Sequence, residues 1–267
     1  MIFLGCLQRL PAWAIGLVGA VICLTHNLLD PIHAGRFGGG ATWWELVHEQ
    51  GPLMVHHQLV GMVIYPVVPW IGVICLGYVF GVLLKYVPAT RQKASALMGV
   101  CFLGVFTMLR LLGGYGDHIH FVRLGSPMRT AMSFGEVEKY PPSLHYLLGT
   151  LGVLLLMYAG IDAMVTRGVL GRMREVFEVY GRVPFFFYVV HIYLLHAVAL
   201  VMTGERGLDW RFWLKPGAVF IGQLPGWGYG LPGVYLVWVL VVAALWLPCW
   251  WFGKVKARRR DWWLSYL

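Results

Sequence analysis

Charge is scarce in this 267-residue chain: 12% of residues are Asp, Glu, Lys or Arg, against roughly a quarter in an ordinary soluble domain. So thin a supply cannot clothe a solvated surface. Acidic groups are the scarcer sign, 12 against 21 basic ones, which leaves a formal net charge of +9. Cysteine is sparse as well. Cys6, Cys23, Cys75, Cys101 and Cys249 are odd in number, fall in or beside apolar runs and include no CxxC spacing. That excludes a disulfide framework and a thiolate zinc site. An internal repeat and a low-complexity linker are also missing, and "MIFLGCLQ", apolar but short and without the basic start and small-residue cleavage site, is not expected to be a signal peptide. The stretch "HEQGPLMVHH" begins like the zinc-protease HExxH and fails at Pro52, where the second histidine would stand. No metal site is expected.

What the chain has in abundance is long hydrophobic runs, 59% of its residues being apolar or aromatic. About 20 such residues cross a bilayer, and runs of that length recur at 11–29, 60–84, 92–112, 143–163, 184–204 and 232–252. These predict an all-α, polytopic transmembrane bundle of about six full spans, forming one domain over 1–267. "MIFLGCLQ" reads as the last two turns of a further helix.

Basic residues in short loops favour the cytoplasm. With the C-terminus placed there, thirteen Lys and Arg fall inside and seven outside, while eight of the twelve acidic residues fall outside. The positive charge is therefore a topology signal, and no nucleic-acid partner is expected. The tail "GKVKARRR" followed by "DWWLSYL" fits a basic stop on anionic headgroups with aromatics in the interface. The bilayer is thus the first partner, and a homo-oligomer stays open.

Polar chemistry is left to helix ends and to three outer segments, roughly 30–59, 113–142 and 205–231. His33, His48, His56, His57, His118 and His120 lie in the first two, with His26 and His145 at the outer ends of their helices. In "SFGEVEKYPPSLHYLLGTLG", Pro142 before Ser143 presets a sharp helix entry and holds Lys139 and Tyr140 at a fixed height. They are either a snorkelling lysine and an interfacial tyrosine or a rim for an anionic or polyol ligand. In "MLRLLGGYGDHIHF", Arg110 lies about two residues inside a helix end; it snorkels outward or pairs with Asp117 or an anionic ligand. In "VPFFFYVVHIYLLHAVAL", Tyr188 and His191 share one helical face and Tyr193 and His196 another, about 140° apart for the two histidines. Two such pairs predict a helix central in the bundle, its histidines hydrogen-bonded structural residues, catalysts or both.

Five stretches, "HNLLDPI", "VVPWIGVICLGYVFG", "LRLLGGYGDH", "SFGEVEKYPPSLHYLLGTLG" and "YGRVPFFFYVVHIYLLH", resemble in order the bacterial membrane family similar to the catalytic domain of heparan-alpha-glucosaminide N-acetyltransferase. The resemblance extends to about residue 200. It implies a transmembrane acyltransferase of the inner membrane that takes an acyl group from acetyl-CoA and gives it to a sugar or other envelope acceptor. On that basis His191 and His196 are expected in the central cavity as catalytic groups. Asn27, Asp30, Arg110, Asp117, Lys139 and Tyr140 are expected at its outer rim, and Arg182 at the coenzyme A mouth. Members of that family carry further N-terminal helices, with an early Arg-Gly and Asp-His region, that this sequence lacks; the expectation is a fragment, a misplaced start or a shortened paralogue, with inactivity of this chain alone as one outcome. A transporter or ligand-binding bundle is the alternative from a different class, since mid-membrane polar groups and broken helices also line substrate paths.

Overall fold

The computed structural model describes residues 2–7, 9–55, 58–215, 218, 224–259 and 261–265. The protein is predominantly helical and divides into two compact units, Met1–Arg167 and Gly168–Leu267. Among the described residues five helices are long and apolar enough to cross a membrane, as expected of an integral membrane protein.

The first unit holds α1 (Ile2–Leu7), α2 (Ala12–Thr25), α3 (Ala41–Val47), a hairpin of β1 (Gly51–Val55) and β2 (Gln58–Val63), then α4 (Val67–Leu83), α5 (Pro88–Leu112), α6 (Pro127–Gly135) and α7 (Leu144–Thr166). A short 3-10 turn, His26–Leu29, extends α2. The strands are antiparallel, with a register shift between Leu53 and Met54. Proline and serine set the helix starts: Pro88 lies in the first turn of α5, and the side chains of Ser126 and Ser143 accept from Arg129 N and Tyr146 N at the starts of α6 and α7. Gly113, in the left-handed region at φ 66°, ends α5 and turns the chain back.

The expected span 60–84 is not one helix. Residues 58–63 pair as a strand, and the helix that follows begins at Val67 and has 17 residues. Pro66 is the reason. It stands before the first helical residue with φ −54° and ψ 137°, and the residue before a proline is pushed out of the helical region. Pro69 is tolerated because the first turn has no intrahelical partner for its nitrogen.

Within the bilayer, apolar burial supplies little drive between helices, so close packing must hold them. Two pairs pack through glycine. On α2 and α4, a Cβ at Gly19 would stand 2.8 Å from Gly72 O, and one at Gly72 would stand 2.7 Å from Cys23 Sγ. On α5 and α7, a Cβ at Gly99 would stand 2.9 Å from Gly152 O, and one at Gly152 would stand 2.8 Å from Leu103 Cγ. In both pairs the backbones come within reach because no side chain intervenes. Near the other end of the second pair, Arg91 grips Asp162 with Nε at 3.0 Å and a terminal nitrogen at 2.7 Å, and Gln92 donates to the same carboxylate.

The second unit contains α8 (Met173–Arg182), α9 (Pro184–Glu205), a 3-10 turn at Trp210–Leu214 and α10 (Leu231–Arg258). Val179, Val183, Cys249, Phe252 and Leu264 form its buried apolar cluster. Within this unit α9 buries only Thr203.

Replacing Gly152 by valine is expected to destabilise the protein by about 1–3 kcal/mol through overpacking, read as a lower thermal midpoint in detergent. Gly104, on α5 with no atom within 4 Å of its added Cβ, is the control: Gly104→Ala should leave the midpoint unchanged or raise it.

Candidate functional site

Polar side chains converge where α2 ends, α7 begins and the intervening loops return. His26 is 2% exposed, and its Nε2 donates to Pro142 O at 2.8 Å. Its neighbour Asn27 accepts from the first amide of α7, Leu144 N, at 2.9 Å, and donates to Asp30 Oδ2 at 2.8 Å. Asn27 thus caps α7 from a different helix while orienting Asp30.

Asp30 in turn accepts from His48 Nε2 at 3.1 Å. His48 is 2% exposed, and its other nitrogen is buried without a partner among the described residues. Burial works to raise the Asp30 carboxyl, but the hydrogen bonds from His48 and Asn27 outweigh it and hold the group below the usual carboxylate range.

Two more imidazole and carboxylate pairs face the same space. His33 Nδ1 lies 3.2 Å from Glu49 Oε1, and the second oxygen of Glu49 accepts from Ala34 N. His118 Nε2 lies 3.5 Å from Glu138 Oε2, and the other Glu138 oxygen accepts from Tyr140 N. All three pairs line one cavity of about 530 Å³, together with Asn27, Pro141 and Ser143. His33 and His118 are well exposed there, whereas His48 is sealed.

Asp117 stands behind the wall. Its side chain is fully buried and accepts from Ile119 N (2.8 Å), Glu138 N (3.0 Å) and Ser143 Oγ (2.7 Å). Ser143 in the same geometry accepts from Tyr146 N. One carboxylate therefore fixes the Glu138 backbone and the α7 cap together. His145 Nδ1 is 4.0 Å from Asp117 Oδ2, too long for a hydrogen bond.

Of the residues expected at the rim, Asn27 and Asp30 line the cavity and Asp117 supports it. Arg110 corrects the expectation of an anionic ligand or an Asp117 partner. It is 2% exposed, and its guanidinium donates to the carbonyls of Ile119, Ser133, Phe134 and Glu136. The planar fork suits four convergent backbone oxygens, which the turn at Gly113 folds back around it. Lys139 and Tyr140 do not line the cavity, although Glu138 and Pro141 on either side do. Lys139 Nζ sits 4.8 Å from the Tyr140 ring centre, and the Tyr140 hydroxyl meets that of Tyr65 at 3.3 Å. The hydrogen bond with Lys139 lowers the Tyr140 phenol below its ordinary value.

In the second unit, His191 lines a mostly apolar cavity of about 690 Å³ with Phe187, Trp227, Tyr229 and Trp238. Its ring stacks on Phe187 and meets Tyr188 at 5.4 Å, and its Nδ1 faces Phe187 O in its own helix at 3.2 Å. His196 does not line that cavity, and no ring contact joins it to Tyr193 among the described residues. Tyr193 is 73% exposed. Arg182 donates to Glu178 at 3.0 Å, with its side chain largely exposed. His56 and His57 lie outside the described residues.

The pairs through Glu49 and Glu138 were not legible beforehand. Both glutamates belong to the excess of acidic residues in the outer segments, and that excess beside the histidines is the signal that could have found them. Among the described residues no group of three or more His, Cys, Asp or Glu could hold a metal ion. No family model matches the chain, and neither a curated protein nor a solved structure does.

Two outcomes are expected. Arg110→Lys replaces the fork with one compact ammonium and should destabilise the protein by about 2–4 kcal/mol, measured by thermal unfolding. Because the Asp30 carboxyl is held low in the folded state, its contribution is present above the unfolded carboxylate value near pH 4 and is lost as pH falls through the folded value. The stability advantage of wild type over Asp30→Asn should therefore be full at neutral pH and shrink below about pH 4.

Proposed function

We propose that the protein is an integral membrane acyltransferase whose first-unit cavity takes a hydroxyl- or amine-bearing acceptor, with acyl-CoA as donor. The observation that carries the reading is the convergence of three imidazole and carboxylate pairs on one cavity at the ends of apolar helices. Resemblance of "KYPPSL" and "GRVPFFFYVVHIYLLH" to the acetyltransferase family supports the same class and names acetyl-CoA as the donor and a sugar or other envelope molecule as the acceptor.

The chemistry needs a base for the acceptor proton. His33 suits it: Glu49 takes the Nδ1 hydrogen and leaves Nε2 as the basic nitrogen. An imidazole so held can accept the proton as the acceptor oxygen or nitrogen bonds to the acyl carbon. The thioester C–S bond breaks, and the coenzyme A thiolate leaves and is protonated in turn. His118 with Glu138 is the parallel candidate, while His48 serves to hold Asp30. His191, His196 and Arg182 keep the roles that the resemblance implies, His191 with a cavity of its own. The layout proposed places the acceptor cavity outside, the C-terminus in the cytoplasm and the protein in a bacterial inner membrane.

The test is transfer of radiolabel from acetyl-CoA to amino sugars and polyols by protein reconstituted in vesicles. Transfer is expected, with His33→Gln or His118→Gln lowering the rate by about 10²–10⁴-fold while the thermal midpoint stays near wild type. Absence of both label transfer and acetyl-CoA binding would overturn the reading, and acetyl-CoA-independent uptake of the same sugars into vesicles would replace it with transport.

A further inference from the structure

Helix α8 has ten residues, a length of about 15 Å, so it cannot cross a bilayer. Its sides differ. One side is packed: Val179 and Val183 join Cys249 and Phe252 of α10 and Leu264 of the tail, and the Tyr180 hydroxyl donates to Val242 O at 2.8 Å. A second side is charged. Glu178 accepts from Arg174 and from Arg182, one helical turn to either side. The apolar positions nearer its N-terminal end are uncovered within this unit: Met173, Val176 and Phe177 are 60%, 45% and 59% exposed.

The end of α10 lies beside it. Lys256 Nζ is 3.5 Å from Arg182 O, and Lys254 Nζ sits 3.3 Å above the Trp250 ring. Trp251 and Trp262 are exposed as well. Along the chain, Arg174 and Arg182 on α8 and Lys254, Lys256, Arg258 and Arg259 at the end of α10 outnumber the acidic Glu175, Glu178 and Asp261 of the same two segments.

We propose that this end of the second unit is a binding site for anionic phospholipid. Helix α8 lies along the membrane surface with Met173, Val176 and Phe177 among the acyl chains, and the basic side chains hold lipid phosphates. The two properties together select the occupant. An apolar protein partner would leave Lys254, Lys256, Arg258 and Arg259 without a counter-charge, and an acidic soluble partner would leave Phe177 and Met173 in water. A layer of anionic lipid satisfies both, since amphipathic helices with basic edges settle at such interfaces and juxtamembrane basic clusters attract their headgroups. The acyl-transfer reading is not needed for this site, which uses none of the cavity residues.

Full-length protein in nanodiscs of phosphatidylcholine, alone or with phosphatidylglycerol, supplies the test. Phosphatidylglycerol is expected to raise the thermal midpoint by several degrees. High salt should diminish the shift, and the quadruple variant Lys254→Gln, Lys256→Gln, Arg258→Gln, Arg259→Gln should abolish it. Independently of that variant's folding, a nitroxide at Phe177→Cys, with exposed Cys6 and Cys101 changed to Ser, should be relaxed by lipid-dissolved oxygen and not by an aqueous nickel chelate. Equal midpoints in the two lipid mixtures would overturn the proposal. So would a label at 177 relaxed by the chelate, or one shielded from both reagents because protein covers the face.

Discussion

Two crossings in which one backbone approaches another hold the membrane part of the first unit. In water, helices associate because their apolar faces leave solvent; in lipid that gain is absent, and contact distance decides. Gly19 against Gly72 and Gly99 against Gly152 permit approaches that any Cβ would block. The bidentate Arg91–Asp162 contact then fixes the α5–α7 pair near its other end. Where the helix ends lie, and so where the loops can meet, follows from these contacts.

Polar groups gathered at those ends are arranged so that few are left without partners. Arg110 satisfies four carbonyls, two in the last turn of α6 and two in the chain on either side of that helix, and Asp117 satisfies two amides and the Ser143 hydroxyl. Asn27 and His26 bind the α2 end to the entry of α7. This scaffolding leaves a different set of side chains facing the cavity: Asp30, Glu49 and Glu138, each with its own histidine. The division has a physical basis. A buried charge must be fully paired, while a group that meets a ligand needs one side open.

Such a division changes the weight of individual residues. Arg110 is a charged residue at a helix end, the kind that recognises anions, yet its donors are all engaged by backbone. His33, a loop residue with an ordinary sequence neighbourhood, has one nitrogen held by Glu49 and an exposed side chain that lines a cavity. In the second unit the same contrast separates His191, which lines a cavity, from His196, which does not.

Sequence alone determined the membrane class, because 12% charge and repeated apolar runs permit no other solvent for most of the chain. It also placed four of the six apolar helices to within about four residues at each end, since prolines, Ser143 and Gly113 act on their own neighbours through local backbone geometry; the last helix was located at its start but runs on to Arg258, six residues past the expected end. Asn27, Asp30 and Asp117 stood out in the sequence beside helix ends, and the structure gathers them at or behind one cavity wall. The second expected span was misread, since hydropathy does not distinguish the strand Gln58–Val63 from the helix that Pro66 delays. What only the tertiary structure decided was pairing across distance: Asn27 with Leu144, Arg110 with residues 119–136, Glu49 with His33 and Glu138 with His118. Such contacts join residues from about 10 to more than 100 positions apart, and their energies depend on geometry that no local pattern of residues encodes.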